Sequence, residues 1–258
     1  MRTIFFASTF DIITVCQIGI ELLNLLETLH LKGYLYIDLK PDNICILLND
    51  VSNKELMNHI GIIDYGFCCK YTNKDNKHLS PKQSRQRYGN IHNASINSLS
   101  GNSISRRDDI EGFCYFLLTL WKGDLPWSNL KFSNSLKLLE KTKEEKNKYD
   151  FKKECGLEFE ELGLIYNLSK KLKFYDIPDY KVYTILLQNC IRRNKIGYIN
   201  YHNFKWENIF CSIIEDFVEF KNKKKLDELI KTTFIGFPYE IAYKYIYQFF
   251  LIKNKKQL

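Results

Sequence analysis

Two short stretches decide how this chain is interpreted. The first is Tyr36-Ile37-Asp38-Leu39-Lys40-Pro41-Asp42-Asn43, and the second is Ile62-Ile63-Asp64-Tyr65-Gly66. Each joins acidic and polar side chains to an apolar run of the kind that forms a short strand. Either pattern alone arises by chance. Both in this order, each beside a predicted strand, indicate one shared site.

The side chains in these stretches are those that phosphoryl transfer requires. That reaction needs a carboxylate to orient the attacking hydroxyl and accept its proton, a cation to steady the transferring group, and oxygen ligands for magnesium. Asp38 suits the first role and Lys40 the second. Asn43 and Asp64 suit the third, and Gly66 permits the turn that brings Asp64 to the metal.

The composition indicates one packed domain that is mostly helical. The chain has 258 residues, a hydrophobic fraction of 45%, 17 tyrosines, 18 phenylalanines and only 5 prolines. A chain of this size buries a substantial core, and the scarcity of proline argues against disorder. It contains no uninterrupted apolar run of about 18 residues, so we expect no membrane span.

The cysteines and histidines carry no metal or disulfide signature. The eight cysteines form no Cys-x-x-Cys pair, and most lie in apolar stretches. We interpret them as buried free thiols in a reducing compartment, which predicts a cytoplasmic or nuclear location. The five histidines show no ligand spacing, so we interpret them as structural or surface residues.

The net charge of +8 is unevenly distributed along the chain. Basic residues crowd the stretch from Lys70 to Arg107, in which Asp75 is the only acidic residue. This basic stretch is either a solvated loop or a surface for acidic or phosphorylated partners, since both fit the charge. Nucleic acid is a weaker third interpretation, because no recognised binding motif accompanies the charge.

Apolar periodicity predicts helices over residues 10–32, 108–121, 136–148, 159–172, 180–194, 206–221 and 239–252. Ser8 or Thr9 is expected to cap the first helix, with Asp11 in its first turn. Short apolar runs at 44–48 and 60–63 predict two strands joined by a loop. The polar segment 72–105 shows little periodicity, which predicts a long irregular segment with a functional role.

Later stretches carry a specific resemblance. The order of the first two stretches resembles that of eukaryotic protein kinases. The later stretches resemble the casein kinase I family and its vaccinia-related relatives, and they are Ala94-Ser95-Ile96-Asn97, Ser105-Arg106-Arg107-Asp108-Asp109-Ile110-Glu111, Gly123-Asp124-Leu125-Pro126-Trp127, Leu172-Lys173-Phe174-Tyr175-Asp176-Ile177-Pro178-Asp179-Tyr180 and Phe204-Lys205-Trp206. The resemblance extends over residues 10–206.

The resemblance implies the C-terminal lobe of a protein kinase, a mainly α fold with a small β-hairpin element. This lobe would occupy residues 1–206, with a helical extension over 207–258. The implied activity is that of a serine/threonine kinase, which transfers the γ-phosphoryl group of ATP to protein hydroxyls with the help of Mg²⁺. Asp38 and Lys40 would be catalytic. Asn43, Asp64 and Gly66 would bind the nucleotide, with Asn43 and Asp64 as the Mg²⁺ ligands.

Other residues take supporting roles by the same resemblance. Asp109 opens an otherwise apolar helix and is expected to accept backbone hydrogen bonds from the catalytic loop, which would hold the loop in shape. Tyr36 takes the packing position of a histidine ring. Arg85 or Arg87, together with Lys82, is expected to bind the anionic group of acidic or pre-phosphorylated protein substrates.

Two departures from the family pattern leave the activity open. Ile37 stands where many kinases have an arginine that pairs with a phosphorylated activation loop, so we expect no switching by that route. No glycine-rich phosphate loop, strand lysine or helix glutamate precedes Asp38. We therefore expect a lobe without its N-terminal β-rich partner lobe, an exposed apolar upper face, and little activity from this chain alone.

Three functions stay open at this point. The first is a casein kinase I-type kinase in truncated form, which the retained Asp38, Lys40, Asn43 and Asp64 favour. The second is a catalytically inactive stand-alone lobe, a pseudokinase or scaffold that binds a protein partner on its upper face. The third is a basic module that binds phosphoproteins or nucleic acid without catalysis.

Overall fold

A computed structural model of the chain describes residues 10–47, 59–81, 89–132 and 134–194. These residues are mainly helical, with helices α1 (Ile12–Leu31), α2 (Ile96–Leu99), α3 (Arg106–Lys122), α4 (Ser135–Lys148), α5 (Phe151–Cys155), α6 (Glu160–Lys171) and α7 (Tyr180–Arg193). Short strands accompany them, at β1 (Tyr34–Leu35), β2 (Ile44–Leu47), β3 (His59–Ile62) and β4 (Cys69–Lys70). The predicted mainly α fold with a small β element is confirmed.

The strands form two antiparallel pairs around the two stretches that decide the fold. Strand β2 pairs with β3 so that Ile44 lies opposite Ile62. This is the predicted hairpin, and it brings the residue before β2 beside the residue after β3. Strand β1 pairs with β4, with Tyr34 opposite Lys70. The second pair was not predicted, because two-residue strands show no periodicity.

The first helix begins later than the apolar pattern predicts. Asp11 is its N-cap, and the Asp11 carboxylate accepts the backbone N–H groups of Ile13 and Thr14, each at 3.1 Å. The prediction that Asp11 lies in the first turn is therefore wrong, since a short acidic side chain on an extended residue caps a helix well. The predicted caps Ser8 and Thr9 lie outside the described residues.

Helix α1 is long and apolar enough, by length and composition alone, to cross a membrane. A buried core helix passes the same test, and half of its apolar window is buried inside the protein. Val15, Ile18 and Leu22 have no exposed surface, and the helix packs against α7 and α3. This packing accounts for the apolar composition of α1.

Helix α3 forms the centre of the described core. Phe113 and Phe116 are fully buried, which explains why its sequence is apolar almost all round. Gly19 lets α1 approach closely, because a Cβ at Gly19 would lie 2.9 Å from the Leu117 side chain. Asp109 stands in the first turn of α3, where this central helix meets the catalytic loop.

The remaining helices agree with the sequence pattern where the structure describes them. The helices predicted over 108–121, 136–148, 159–172 and 180–194 are confirmed, with ends that differ by at most two residues. Helices α2 and α5 were not predicted, because four or five residues are too few to show a helical period. The helices predicted over 206–221 and 239–252, and the extension over 207–258, lie outside the described residues.

The described cysteines are free thiols, as the sequence predicts. Cys16, Cys114, Cys155 and Cys190 are buried in the core. Burial raises the pKa of the Cys114 thiol well above its ordinary value. These thiols therefore act as small apolar side chains in the packing.

Candidate active site

The candidate catalytic loop is the turn of residues 36–43 between β1 and β2. A single 3₁₀ turn, Pro41–Asn43, leads the chain from this loop into β2. Lys40 Nζ donates to Asp38 Oδ2 at 2.6 Å, and Asn43 Nδ2 donates to the same oxygen at 3.0 Å. Asn43 Nδ2 also donates to the Asp38 backbone carbonyl at 2.9 Å. The structure therefore brings three of the predicted site residues into one cluster.

Asp38 is buried, with 1% of its surface exposed. A buried carboxylate needs partners, because an unpaired buried charge costs several kcal/mol. The contacts from Lys40 and Asn43 both use Oδ2, so Oδ1 is the oxygen that can receive a hydroxyl proton. The Lys40 side chain is 23% exposed, which leaves its charge at the mouth of the loop.

The loop is held from beneath by Asp109, in the first turn of α3. The backbone N–H of Tyr36 donates to Asp109 Oδ2 at 2.8 Å, and that of Ile37 donates to Asp109 Oδ1 at 2.7 Å. These are the backbone hydrogen bonds that the sequence predicts for Asp109. His30 Nε2 lies 2.8 Å from the same Oδ2. One carboxylate thus joins the end of α1, the start of α3 and the loop.

His30 is a supporting residue whose contact with the loop anchor the sequence reasoning missed. The structure buries it at the end of α1, where Nδ1 contacts the Tyr180 hydroxyl and the backbone carbonyl accepts the Tyr71 hydroxyl at 2.5 Å. One signal was available. His30 continues the apolar face of Leu23 and Leu26, and a polar ring on such a face requires a buried partner.

Tyr36 connects the catalytic loop to the second stretch. Its ring is fully buried, and its hydroxyl donates to the Ile63 backbone carbonyl at 2.8 Å. The rings of Tyr36 and Tyr65 meet edge to face, with centroids 5.9 Å apart. Burial raises the pKa of Tyr36, so its hydroxyl remains a donor over the physiological range. Tyr36 therefore supports the loop both by packing and by a hydrogen bond.

Ile37 adopts a left-handed backbone conformation, with φ of 74°. For a β-branched residue this costs roughly 1–3 kcal/mol. The Asp109 hydrogen bond holds Ile37 in place, and Gly89 packs closely on the Ile37 carbonyl, where a Cβ would lie 2.6 Å from the oxygen. Neighbouring groups, rather than the preference of Ile37 itself, therefore impose the shape of the loop.

The second stretch turns directly after β3. The backbone N–H of Ile63 donates to the Asn43 carbonyl at 2.9 Å, which places the end of β3 beside the end of the catalytic loop. Asp64 follows with φ of 59° and an exposed side chain, and its Oδ1 accepts the N–H of Gly66 at 3.1 Å. The left-handed residue is therefore Asp64. Gly66 leaves room for this carboxylate, since a Cβ there would lie 3.0 Å from Asp64 Oδ1.

Asn43 and Asp64 have the donor chemistry that suits Mg²⁺. The Asn43 amide nitrogen faces Asp38, so its carbonyl oxygen is the atom that would ligate a metal, and Asp64 offers an exposed carboxylate. Mg²⁺ prefers such oxygen ligands and usually takes one or two from the protein, with nucleotide phosphates and water completing its shell. Among the described residues, no group of three or more His, Cys, Asp or Glu is arranged to hold a metal.

Two curated yeast proteins are similar to most of the chain. Casein kinase I homolog 2 of Saccharomyces cerevisiae is 31% identical over 186 residues, which cover 70% of this chain and 33% of the yeast protein. Casein kinase I homolog 1 of the same organism is 32% identical over 186 residues, which cover 70% of this chain and 34% of that protein. The chain is related to the casein kinase I family.

This casein kinase I relative spans about one third of the length of the curated relatives it matches. No family model matches the chain. The relationship agrees with the resemblance seen in the sequence, and the mainly helical fold agrees with the C-terminal lobe of a kinase.

In this casein kinase I relative, the element Ala94-Ser95-Ile96-Asn97 is tied to Asp108 at the start of α3. Ser95 Oγ donates to Asp108 Oδ1 at 2.6 Å, and Asn97 Nδ2 donates to the same oxygen at 3.1 Å. Burial raises the pKa of Asp108. The two adjacent acids of α3 therefore bind different segments. Asp109 accepts hydrogen bonds from the catalytic loop, and Asp108 accepts them from the element of residues 94–97.

The predicted anion-binding residues Lys82, Arg85 and Arg87 lie outside the described residues, so their role stays a prediction. The turn of residues 62–66 is called the metal turn below, after the role predicted for Asp64. Tyr65 in this turn and the adjacent Phe67 are 53% and 44% exposed. Both are exposed apolar side chains next to the candidate site.

Proposed function

We propose that this chain carries the phosphoryl-transfer half of a serine/threonine protein kinase of the casein kinase I type. One observation supports the proposal above all others. Asp38, Lys40 and Asn43 form one hydrogen-bonded cluster on a loop that Asp109 fixes through two backbone hydrogen bonds. Burying a carboxylate and a strained loop is costly, and catalysis gives a reason to maintain both.

Each member of the cluster has a distinct role. Asp38 Oδ1 receives the proton of the attacking serine or threonine hydroxyl. Lys40 places a positive charge beside that carboxylate, where it steadies the oxygens of the transferring phosphoryl group. Asn43 orients Asp38 through its amide nitrogen.

ATP and Mg²⁺ are the proposed cofactors. Asn43 and Asp64 would hold the metal, which when bound neutralises the charge of the nucleotide phosphates. Gly66 leaves room around Asp64, because a Cβ there would lie close to the carboxylate.

The proposed substrates are acidic or pre-phosphorylated proteins in the cytoplasm or nucleus. The excess of basic residues from Lys70 to Arg107 supports this choice. Lys82, Arg85 and Arg87 are the residues that would contact the substrate anion. Nucleic-acid binding has no support beyond the same charge.

The proposed function is tested by supplying the nucleotide-gripping lobe. The chain is joined at its N-terminus to the glycine-rich lobe of a casein kinase I enzyme, and transfer from radiolabelled ATP to an acidic serine peptide is measured. We expect transfer that depends on Mg²⁺ and falls by about 10²–10⁴-fold in the Asp38→Asn variant, the usual contribution of a positioned base.

The matched control is Asp42→Asn, which changes a neighbouring acid on the same loop outside the cluster. It should keep transfer within about threefold of the parent, as a change outside the reacting groups does. A folded fusion that binds ATP without transferring phosphate, or equal transfer by the Asp38→Asn variant, would contradict the proposal.

A scaffold is the second candidate function. The exposed Tyr65 and Phe67 favour it, because an apolar surface beside the site can bind a protein partner. On this alternative, Tyr65→Ser with Phe67→Ser would abolish capture of a partner by the chain, and Asp38→Asn would leave that capture unchanged. Loss of capture in the Asp38→Asn variant would count against the scaffold.

A further inference from the structure

Segment 91–94 lies between the catalytic loop and helix α4. Side chains of Lys146 and Trp127 hold it by donating hydrogen bonds to its backbone carbonyls. Lys146 Nζ donates to the Ala94 carbonyl at 2.6 Å and reaches the Ile91 carbonyl at 3.4 Å. Trp127 Nε1 donates to the His92 carbonyl at 2.8 Å. Three of the four carbonyls in this segment therefore accept hydrogen bonds from side chains beneath it.

Asn93, the remaining residue of segment 91–94, turns its side chain toward the catalytic loop. Its Nδ2 donates to the Leu39 carbonyl at 2.9 Å, one residue after Asp38. Its own carbonyl lies against Gly112 of α3, where a Cβ would approach to 3.0 Å. Asn93 is buried, so the segment has little freedom to shift without moving the Leu39 carbonyl.

Lys146 is unusual because its charged side chain is buried beside segment 91–94. It is 2% exposed, and its Nζ lies 4.3 Å from the centre of the Tyr115 ring and 5.1 Å from that of Trp127. Among the ion pairs of the described residues, none includes Lys146. Carbonyl oxygens and ring faces therefore solvate this ammonium group. A buried charge without a carboxylate partner is costly, and an apolar residue would fill the same space at lower cost.

We infer that Lys146 is a positioning residue for the catalytic loop: its ammonium group fixes segment 91–94, and Asn93 carries that constraint to the Leu39 carbonyl beside Asp38. The inference rests on the proposed function only in naming Asp38 as the proton acceptor. The geometric link from Lys146 to the loop can be measured without any phosphoryl transfer.

The surroundings of Lys146 place its change of protonation near neutral pH. Burial lowers the pKa of Lys146 to about 7, the Glu111 carboxylate of α3 raises it, and the Lys170 ammonium of α6 lowers it. His92 of the segment also faces Lys146, and burial followed by the Lys146 charge lowers the pKa of His92. Above neutral pH the Lys146 amine still donates to the same carbonyls, and the cost of burying its charge is removed.

Amide hydrogen exchange of the full chain, followed by mass spectrometry, tests the inference. Lys146→Met should raise exchange in segment 91–94 and in loop 37–43 by about tenfold or more, as expected when a charge-assisted hydrogen bond is lost. Lys146→Arg should restore most of the protection. Lys148→Met, which alters an exposed lysine of the same helix, should change neither region. Asn93→Ala should raise exchange in the loop alone.

The wild-type chain provides a second arm that does not depend on a variant folding. Between pH 6 and pH 9, after correction for intrinsic exchange rates, protection of loop 37–43 should rise by about tenfold, because an opening that rehydrates Lys146 restores its ordinary pKa and takes up a proton. In the Lys146→Met variant, exchange that rises only in segment 91–94, or equally throughout the chain, would overturn the inference. So would loop protection in the wild type that does not depend on pH. Failed phosphoryl transfer would count against the proposed function and leave this result intact.

Discussion

The catalytic loop and the metal turn lie side by side, yet they are built differently. The loop is largely buried, and its Asp38 carboxylate pairs with Lys40 and Asn43 of the same loop. Its backbone is held by Asp109 of α3 and by Asn93 of segment 91–94. The metal turn is exposed, and the Asp64 contact among the described residues is with the N–H of Gly66 in the same turn. The difference indicates that the loop around Asp38 is ordered by the described residues themselves. The metal-binding part would gain its order from the nucleotide and its metal.

Substitution of Asp109 should have the largest effect, since it removes the anchor of the loop. Asp109→Ala leaves the N–H groups of Tyr36 and Ile37 and the His30 ring without their partner. Each buried unsatisfied group costs about 1–3 kcal/mol, so the free energy of unfolding should fall by about 3–5 kcal/mol. Denaturant titration measures this change.

Asp124→Ala is the matched control for Asp109→Ala, because it removes an exposed aspartate whose side chain accepts from Asn129. It should cost less than about 1 kcal/mol. If Asp109→Ala cost no more than this control, the loop would not depend on its anchor, and the contrast between loop and turn would be lost.

The second effect is a pH dependence that arises from Lys146. Its pKa of about 7 in the folded protein lies below the ordinary value of 10.5. Between these values the unfolded chain binds more protons, so the contribution of Lys146 to stability rises with pH. The free energy of unfolding of the wild type minus that of Lys146→Met should rise by about 1–3 kcal/mol from pH 7 to pH 9. A flat difference would show that Lys146 is not a buried cation.

Removal of the Tyr36 hydroxyl tests the link between the two regions. Tyr36→Phe breaks the hydrogen bond to the Ile63 carbonyl and should lower the free energy of unfolding by about 1 kcal/mol. Tyr175→Phe, on a ring that is 53% exposed, is the control and should change it by less than about 0.5 kcal/mol. Equal effects would mean that the hairpin is held to the loop by packing alone.

Substitution in the metal turn should have the smallest effect on stability. Asp64→Ala should change the free energy of unfolding by less than about 0.5 kcal/mol, because the side chain is exposed. In the kinase fusion described above, the same variant should raise the Mg²⁺ concentration for half-maximal transfer by about tenfold or more, since a metal ligand is lost. A large loss of stability, with unchanged Mg²⁺ dependence, would reverse the roles assigned to loop and turn.

The sequence predicted the parts of the fold that local patterns encode. The long helices and the β2–β3 hairpin followed from periodicity, and the two stretches with Asp38, Lys40, Asn43 and Asp64 followed from side-chain chemistry. The structure adds their arrangement, with three of the four in one hydrogen-bonded cluster and Asp64 on the neighbouring turn. Asp109 could be predicted because an acid that opens an apolar helix requires donors.

The contacts that support the loop from a distance could not be predicted in this way. His30 meets Asp109, and Lys146 meets Ala94, across long separations in sequence that no local period reports. The short helix Ile96–Leu99 and the strand Tyr34–Leu35 are set by such tertiary contacts as well. The sequence pattern also did not identify Asp11 as the cap of α1.

Residue-resolved amide exchange of the unmodified chain tests the central claim most directly. If the lobe itself preorganises the catalytic loop, the amides of Tyr36 and Ile37, which donate to Asp109, should exchange at least about a hundredfold more slowly than that of Gly66, which donates only to an exposed side chain. This should hold without nucleotide or metal. Equal exchange in the loop and the turn would contradict the account.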